Sequence, residues 1–262
     1  MKLNCIASGS SGNCYLLSSD TETLILDCGI GIMEIKKALD FDLSKVVGAC
    51  VTHAHLDHSK AVKDLIDMGI PVVKPYEYLN LPLLNDRHQV IKTYFSGFLI
   101  DAFPNEKEPW RINPFTGEKI EVPLEWTHTN ADGSECPCYG FLIKHPELGR
   151  MLYITDTNLV KWKFKNIDHI LISCNYQSKY VTDEEQAKRI HVIKGHMELQ
   201  RTIDFLKVNA TDRLKTVTLC HLSDRNANAE EMLAEVQKVV PWANVSVARA
   251  GLEIELTEKC PF

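Results

Sequence analysis

The sequence predicts an α/β protein, in which short buried strands alternate with amphipathic helices. Apolar, β-branched runs such as Val46 to Val51 and Met151 to Ile154 are bounded by turn formers, as buried strands are. Lys60 to Met68 and Asn228 to Val239 carry apolar residues at helical spacing. Residues able to do chemistry fall just after the strand runs, at the carboxyl ends where open sheets place ligands.

The 262 residues are 45% hydrophobic, enough to bury a full core, and no Pro/Gly/Ser linker, low-complexity run or short repeat divides them. One domain over residues 1–262 is the expectation. A net charge of −6 argues against broad, non-specific attraction to a nucleic-acid backbone and tilts the balance toward a small substrate. Nine scattered cysteines, an amino-terminal Met1 to Ile6 without a signal-peptide core, and no run near the roughly 18 apolar residues of a membrane span predict a cytoplasmic protein with reduced thiols. Cys136-Pro137-Cys138 lacks a second such pair to complete a structural zinc site and reads as ordinary packing.

In chain order, Lys2 to Ala7 and Tyr15 to Ser18 read as strands around the small-residue loop Ser8-Gly9-Ser10-Ser11-Gly12-Asn13. That loop is either a simple hairpin turn or part of a site rim that its backbone approaches closely. Thr23 to Leu26 is a strand ending in Asp27-Cys28-Gly29, which turns into a helix over Ile32 to Leu39. Asp27 is expected to support a metal loop from outside rather than to bind metal. Pro71 to Lys74, Val90 to Tyr94 and Phe98 to Phe103 continue the strand pattern. The irregular stretch Pro104 to Pro123, with Trp110, Arg111 and Phe115, is a lid or subunit contact, or a solvated hairpin. Tyr139 to Lys144, Met151 to Thr157, Asp168 to Tyr176 and Thr216 to Cys220 are strands, followed by the helix Asn228 to Val239 and strands at Val245 to Ala248 and Leu252 to Leu256. Thr182 to Val208 reads as mainly helical, broken at Gly195-His196.

The densest signal is Val51-Thr52-His53-Ala54-His55-Leu56-Asp57-His58-Ser59, expected on a strand-to-helix loop. Its spacing lets one turn serve two ions, and imidazole plus carboxylate donors suit Zn²⁺, Mn²⁺ or Fe. His128, Asp156 and His221 follow or flank strands that deliver them to the same sheet edge, whereas His88, His145, His169 and His191 have no such placement and read as surface residues.

Thr52-His53-Ala54-His55-Leu56-Asp57-His58, Thr127-His128-Thr129, Ile154-Thr155-Asp156-Thr157 and Leu219-Cys220-His221-Leu222-Ser223 together resemble the ordered ligand motifs of the metallo-β-lactamase fold. The resemblance implies a four-layer αββα sandwich and two metal ions, zinc foremost. It implies His53, His55 and His128 on one ion, Asp57, His58 and His221 on the other, and Asp156 between them. Ile6-Ala7-Ser8-Gly9-Ser10-Ser11-Gly12-Asn13 and Gly195-His196 are similar to the branch that holds the anti-Pycsar cyclic-nucleotide phosphodiesterases, WalJ-type proteins and tRNase Z. This implies a phosphodiesterase with Asp57 beside the nucleophile and His196 as proton donor to the leaving oxygen. Expected from it are 3′,5′-cyclic nucleotides as substrate, a role in defeating cyclic-nucleotide antiphage signalling, and a homodimer. The alternative is a DNA or RNA exonuclease. Two departures bear on the tRNA reading: Cys174-Asn175-Tyr176 stands where tRNase Z carries an acidic residue, and no Gly/Pro-rich basic arm is present.

Overall fold

The computed structural model describes residues 1–80, 91–105, 110–112, 119–121, 128–130, 132–181 and 195–256. Its strands form two large sheets. The first is built from β1 (Lys2–Ala7), β2 (Cys14–Ser18), β3 (Thr23–Leu26), β4 (Val46–Cys50), β5 (Val72–Val73) and β15 (Glu253–Glu255), in the order β15-β1-β2-β3-β4-β5. The second holds β6 (Ile91–Phe95), β7 (Phe98–Pro104), β10 (Tyr139–His145), β11 (Gly149–Ile154), β12 (His169–Ser173), β13 (Thr216–Cys220) and β14 (Asn244–Val247), in the order β14-β13-β12-β11-β10-β7-β6. Each sheet is antiparallel on one side and parallel on the other, so β3, β4 and β5 share a direction, as do β11 through β14. A separate hairpin pairs β8 (Trp110–Ile112) with β9 (Lys119–Glu121).

Burial explains the layering. Leu3, Leu17 and Leu24 of the first sheet meet Phe98, Ile100, Phe141, Tyr153 and Leu171 of the second in one dry cluster between the sheets. Outside the first sheet, Leu16, Ile25 and Ala49 pack with Ile35 of α1 (Ile32–Ala38) and Leu65 of α3 (Val62–Asp67). Outside the second, Ile170, Ile172, Val217 and Leu219 pack with Ile203 and Leu206 of α4 (Leu199–Asn209) and with Met232 and Val236 of α5 (Ala229–Val239). Strands buried on both faces show as continuous apolar runs, the pattern of β3, β12 and β13. The order helix, sheet, sheet, helix is the four-layer αββα sandwich. Asn228 starts α5 by accepting from the Glu231 N–H at 3.2 Å, which satisfies one otherwise unpaired donor. Among the described residues no helix is long and apolar enough to cross a membrane.

Two histidines expected at the surface are buried instead. His145 is 7% exposed, and its Nε2 lies 2.9 Å from Glu22 Oε1, 123 residues away, which ties the second sheet to the turn between β2 and β3. His169, at the start of β12, is 1% exposed, with Nδ1 2.9 Å from Thr216 Oγ1 on β13. Neither partner is visible in local sequence. His88 and His191 lie outside the described residues, as do Phe115 and most of the 104–123 stretch expected as lid or dimer contact.

Burial pushes the His169 imidazole down to about 4. The native ring therefore stays neutral through the range in which the unfolded ring, near 6.5, takes up a proton. The unfolded state binds more protons between those limits, so stability falls as pH drops from about 6.5 to about 4, by up to about 3 kcal/mol. Thermal melts across that range should show a shallower acid loss in His169→Asn. Parallel curves for the two proteins would show that His169 does not carry it.

Candidate metal centre

The polar residues singled out in the sequence meet at one edge of the sandwich, beyond the carboxyl ends of β3, β4, β11, β12 and β13. Within the histidine motif, a loop throughout was the expectation, but the structure splits it. His53 to His55 form a bend, and Leu56–Ser59 form one helical turn, α2, so that Asp57 and His58 project from a helix. The turn forms because His55, at φ −62° and ψ 144°, caps it, while the Ser59 hydroxyl donates to the His55 carbonyl at 2.9 Å. Gly29 fixes the turn from below: a Cβ on it would meet the Asp57 carbonyl oxygen at 1.7 Å. Only glycine permits this approach.

Hydrogen-bond partners settle which nitrogens face the centre. His128 Nδ1 lies 3.2 Å from the Gly195 carbonyl, an acceptor only, so Nδ1 carries the proton and the Nε2 lone pair points inward. His55 Nε2 lies 3.1 Å from Asn130 Oδ1, and that amide is oriented by its own donations to Ser134 Oγ and the Glu135 carbonyl. His55 therefore presents the Nδ1 lone pair, 2.9 Å from His128 Nε2. Two lone pairs at that separation repel unless a cation lies between them. His53 Nε2, fully buried, has no hydrogen-bond partner, as fits a nitrogen that binds metal. Burial holds the imidazole of His53 well below its ordinary value and that of His128 at about 3, so both keep the neutral form that binds metal.

A second donor set lies beside the first. Asp57, His58, Asp156 and His221 bring their ligand atoms within 4.8 Å of one another. Asp57 Oδ2 is 3.5 Å from both His58 Nε2 and His221 Nε2. Asp156 Oδ2 is 2.7 Å from His58 Nε2, 3.4 Å from His221 Nε2 and 3.7 Å from His53 Nε2, so one oxygen faces both sets. Burial opposes ionisation of Asp156, yet His221 and His58 outweigh it and hold its carboxyl well below the usual carboxylate range. His196 Nε2 is 3.9 Å from Asp156 Oδ1, and its ring sits against His128 and His221. Every sequence-predicted site residue, His53, His55, Asp57, His58, His128, Asp156, His196 and His221, is thus brought to one place. The donor chemistry, two adjoining sets of imidazoles and carboxylates, fits a pair of transition-metal ions.

The supporting residues are as buried as the donors. Asp27, fully buried, accepts from Thr52 N at 2.8 Å and from Tyr153 Oη, and its Oδ2 lies 2.7 Å from His58 Nδ1. It orients His58 from behind, as expected. Tyr15 and Tyr153 come from opposite sheets and meet edge to face at 5.7 Å; Tyr15 donates to Ser8 Oγ, which also accepts from His221 N at 2.9 Å. The small-residue loop is therefore site rim, and its Asn13 reaches His58 Nε2 at 3.0 Å. Asp27, Asp156 and His221 all adopt left-handed backbone, at φ 53°, 45° and 53°. Such strain costs about 1–3 kcal/mol at each residue and persists where the surroundings over-determine it.

Sequence reasoning missed two contributors. Asn175, noted only for the acid it replaces, places Nδ2 2.9 Å from His221 Nδ1, while its Oδ1 accepts from Met197 N at 2.8 Å. With that amide orientation the His221 proton sits on Nε2, directed at Asp57 and Asp156. A metal at Nε2 requires the other tautomer. Cys138, expected as ordinary packing, lies instead among His53 and His128. No local signal marks either residue, because each acts on a partner distant in sequence.

Comparison with known proteins agrees with this geometry. Residues 7–142 match the family described as the metallo-beta-lactamase superfamily. The chain is 23% identical over 269 residues to exodeoxyribonuclease YycJ of Bacillus anthracis, a match covering 95% of this chain and 93% of that protein. Its fold is similar to the metallo-beta-lactamase fold protein YhfI of Bacillus subtilis, with a TM-score of 0.61, 16% identity and coverage of 97% and 98%. It is also similar to the short form of human tRNase Z, with a TM-score of 0.56, 13% identity and coverage of 98% and 100%. A match spanning more than half of the chain, on a sandwich of this topology, means that the chain belongs to the metallo-β-lactamase superfamily.

Proposed function

We propose that this chain is a metal-dependent phosphodiesterase that shortens single-stranded nucleic acid. The observation that carries the phosphodiesterase reading is Asp156 Oδ2 lying between two donor sets with His196 beside it. A metal pair would be held by His53, His55 and His128 and by Asp57, His58 and His221, and would supply Lewis-acid activation of water and charge neutralisation on the phosphoryl oxygens. The chain's own residues do the rest. Asp57, with its side chain 27% exposed, is the acidic member of the second set that reaches solvent, where it accepts a proton from attacking water. His196, its side chain 19% exposed, is placed to donate a proton to the departing oxygen.

The polymer reading is supported by the end-to-end similarity to an exodeoxyribonuclease and by a feature that net charge conceals. After Asp156 the chain runs Lys161-Trp162-Lys163-Phe164-Lys165, with three exposed lysines alternating with two half-buried aromatics. Among the described residues no ion pair engages those lysines. Lys161, Trp162 and Lys163 line a cleft of about 470 Å³ with Arg201 and with Met197, the residue after His196. Cations for phosphates and an aromatic ring, here Trp162, for a base are what a single strand needs. The 3′,5′-cyclic mononucleotide is the second reading, favoured by the net charge of −6.

A chromatographic assay of a single-stranded oligonucleotide beside cyclic CMP, UMP, AMP and GMP, with and without chelator, separates them. Metal-dependent shortening of the oligonucleotide is expected. Lys161→Glu/Lys163→Glu should weaken oligonucleotide binding, and more so at low salt, while leaving hydrolysis of bis(p-nitrophenyl) phosphate unchanged. His196→Ala should lower kcat by about 10²–10⁴ with little change in KM. Hydrolysis of the cyclic nucleotides alone would replace the exonuclease reading by the second one.

A further inference from the structure

We propose that Cys138 Sγ is a ligand of the metal ion held by His53 and His128, so that the first of the two sites is capped by a thiolate. The inference rests on the metal-centre reading and adds a donor of a different kind to it. Cys138 directly precedes β10, and two backbone bonds pin its segment against the site. Tyr139 N donates to the Thr52 carbonyl at 3.0 Å, and Cys136 N donates to the His128 carbonyl at 2.8 Å. The Cys138 side chain is fully buried, and its sulfur lies within 4.8 Å of a ring nitrogen on each of His53 and His128.

The independent sign that this space receives an ion is His53 Nε2, which is fully buried and has no hydrogen-bond partner. Zinc takes nitrogen at about 2.0–2.1 Å and sulfur at about 2.3 Å, so tetrahedral donors stand roughly 3.3–3.6 Å apart. Donors already within 4.8 Å need to close by about an ångström. With His55 Nδ1 facing His128 Nε2, the first site then offers three nitrogens and one sulfur. As the metal–sulfur bond forms, the thiol proton passes to solvent, and no electron is transferred.

The two sites differ chemically as a result. Asp57, His58, Asp156 and His221 offer only nitrogen and oxygen, whereas sulfur makes the first site softer and adds a negative charge. The first site favours zinc over manganese, and the second is left as the harder one.

Full-length protein loaded with Co²⁺ tests this without any assay of turnover. Wild type should show sulfur-to-cobalt charge-transfer absorption in the near ultraviolet. Cys138→Ser should lose that band while keeping the visible d–d bands, and Cys136→Ser should retain it. Because a Cys138 variant can fail to fold, X-ray absorption on the zinc-loaded wild type gives a second readout, with a sulfur scatterer expected at about 2.3 Å. Cobalt or zinc bound with no sulfur signal, or a band that persists in Cys138→Ser, overturns the proposal and leaves the metal centre standing. A chain that binds no metal at all overturns both.

Discussion

Asp57→Ala is expected to lower kcat by about 10³-fold or more, the several kcal/mol that a metal and its attendant carboxylate contribute to a phosphoryl transition state. Its carboxylate stands 3.5 Å from both His58 Nε2 and His221 Nε2, so its loss removes one donor and one of the acidic partners of each ring. The fold should survive. The Asp57 side chain is 27% exposed, and removing it relieves repulsion from Asp156. His58→Ala makes an instructive contrast, because His58 is buried between Asp27, at 2.7 Å, and Asp156, at 2.7 Å. Its removal leaves two buried carboxylates without their shared partner, a loss of about 3–5 kcal/mol. Thermal melts with kinetics on both variants should show Asp57→Ala inactive near the wild-type Tm and His58→Ala inactive with a Tm well below it. Near-normal kcat in Asp57→Ala would take this residue out of the mechanism.

Asp27→Ala should damage stability and metal affinity together. Asp27 gathers the Thr52 N–H, the Thr52 hydroxyl, the Tyr153 hydroxyl and the His58 ring on one buried carboxylate. Each buried donor left unpaired costs about 1–3 kcal/mol. Asp27→Asn separates the two effects. Asparagine accepts the φ of 53° that Asp27 holds and keeps its shape, but turns one acceptor into a donor facing His58 Nδ1. Metal affinity, measured by chelator competition, should fall about 10–100-fold in Asp27→Asn, with a smaller drop in Tm than in Asp27→Ala. Unchanged affinity in both would mean that His58 is oriented by Asn13 and Thr52 without help from Asp27.

What the sequence made legible, and what it did not, divides by range. Strands such as Thr23–Leu26 and Thr216–Cys220 are readable because burial on both faces leaves an uninterrupted apolar run. The histidine motif is readable because its donors are close neighbours along the chain, and strand-end Asp156 and His221 because an apolar run delivers each. Hidden were the pairings across the fold: His145 with Glu22, His169 with Thr216, Asn175 with His221, and Cys138 with His53. A lone polar residue reads as surface until its partner is known. The Lys161 to Lys165 strip escaped for another reason, since a net charge averages a local cationic row against acids elsewhere.

The hydrogen bond from His221 N to Ser8 Oγ joins residues 213 positions apart. Closing so long a loop must be compensated by contacts that exist only once both sheets have met, so this corner of the molecule assembles late. On the ribosome, His53, His55 and His128 emerge well before Asp156 and His221, and the N-terminal half holds only Asp57 and His58 of the second donor set. A nascent chain can therefore hold at most a partial centre until β13 is released and docked. Uptake of a second ion would then report that β13 has docked, and a chain truncated ahead of Thr216 should lack that signal however well its first sheet forms.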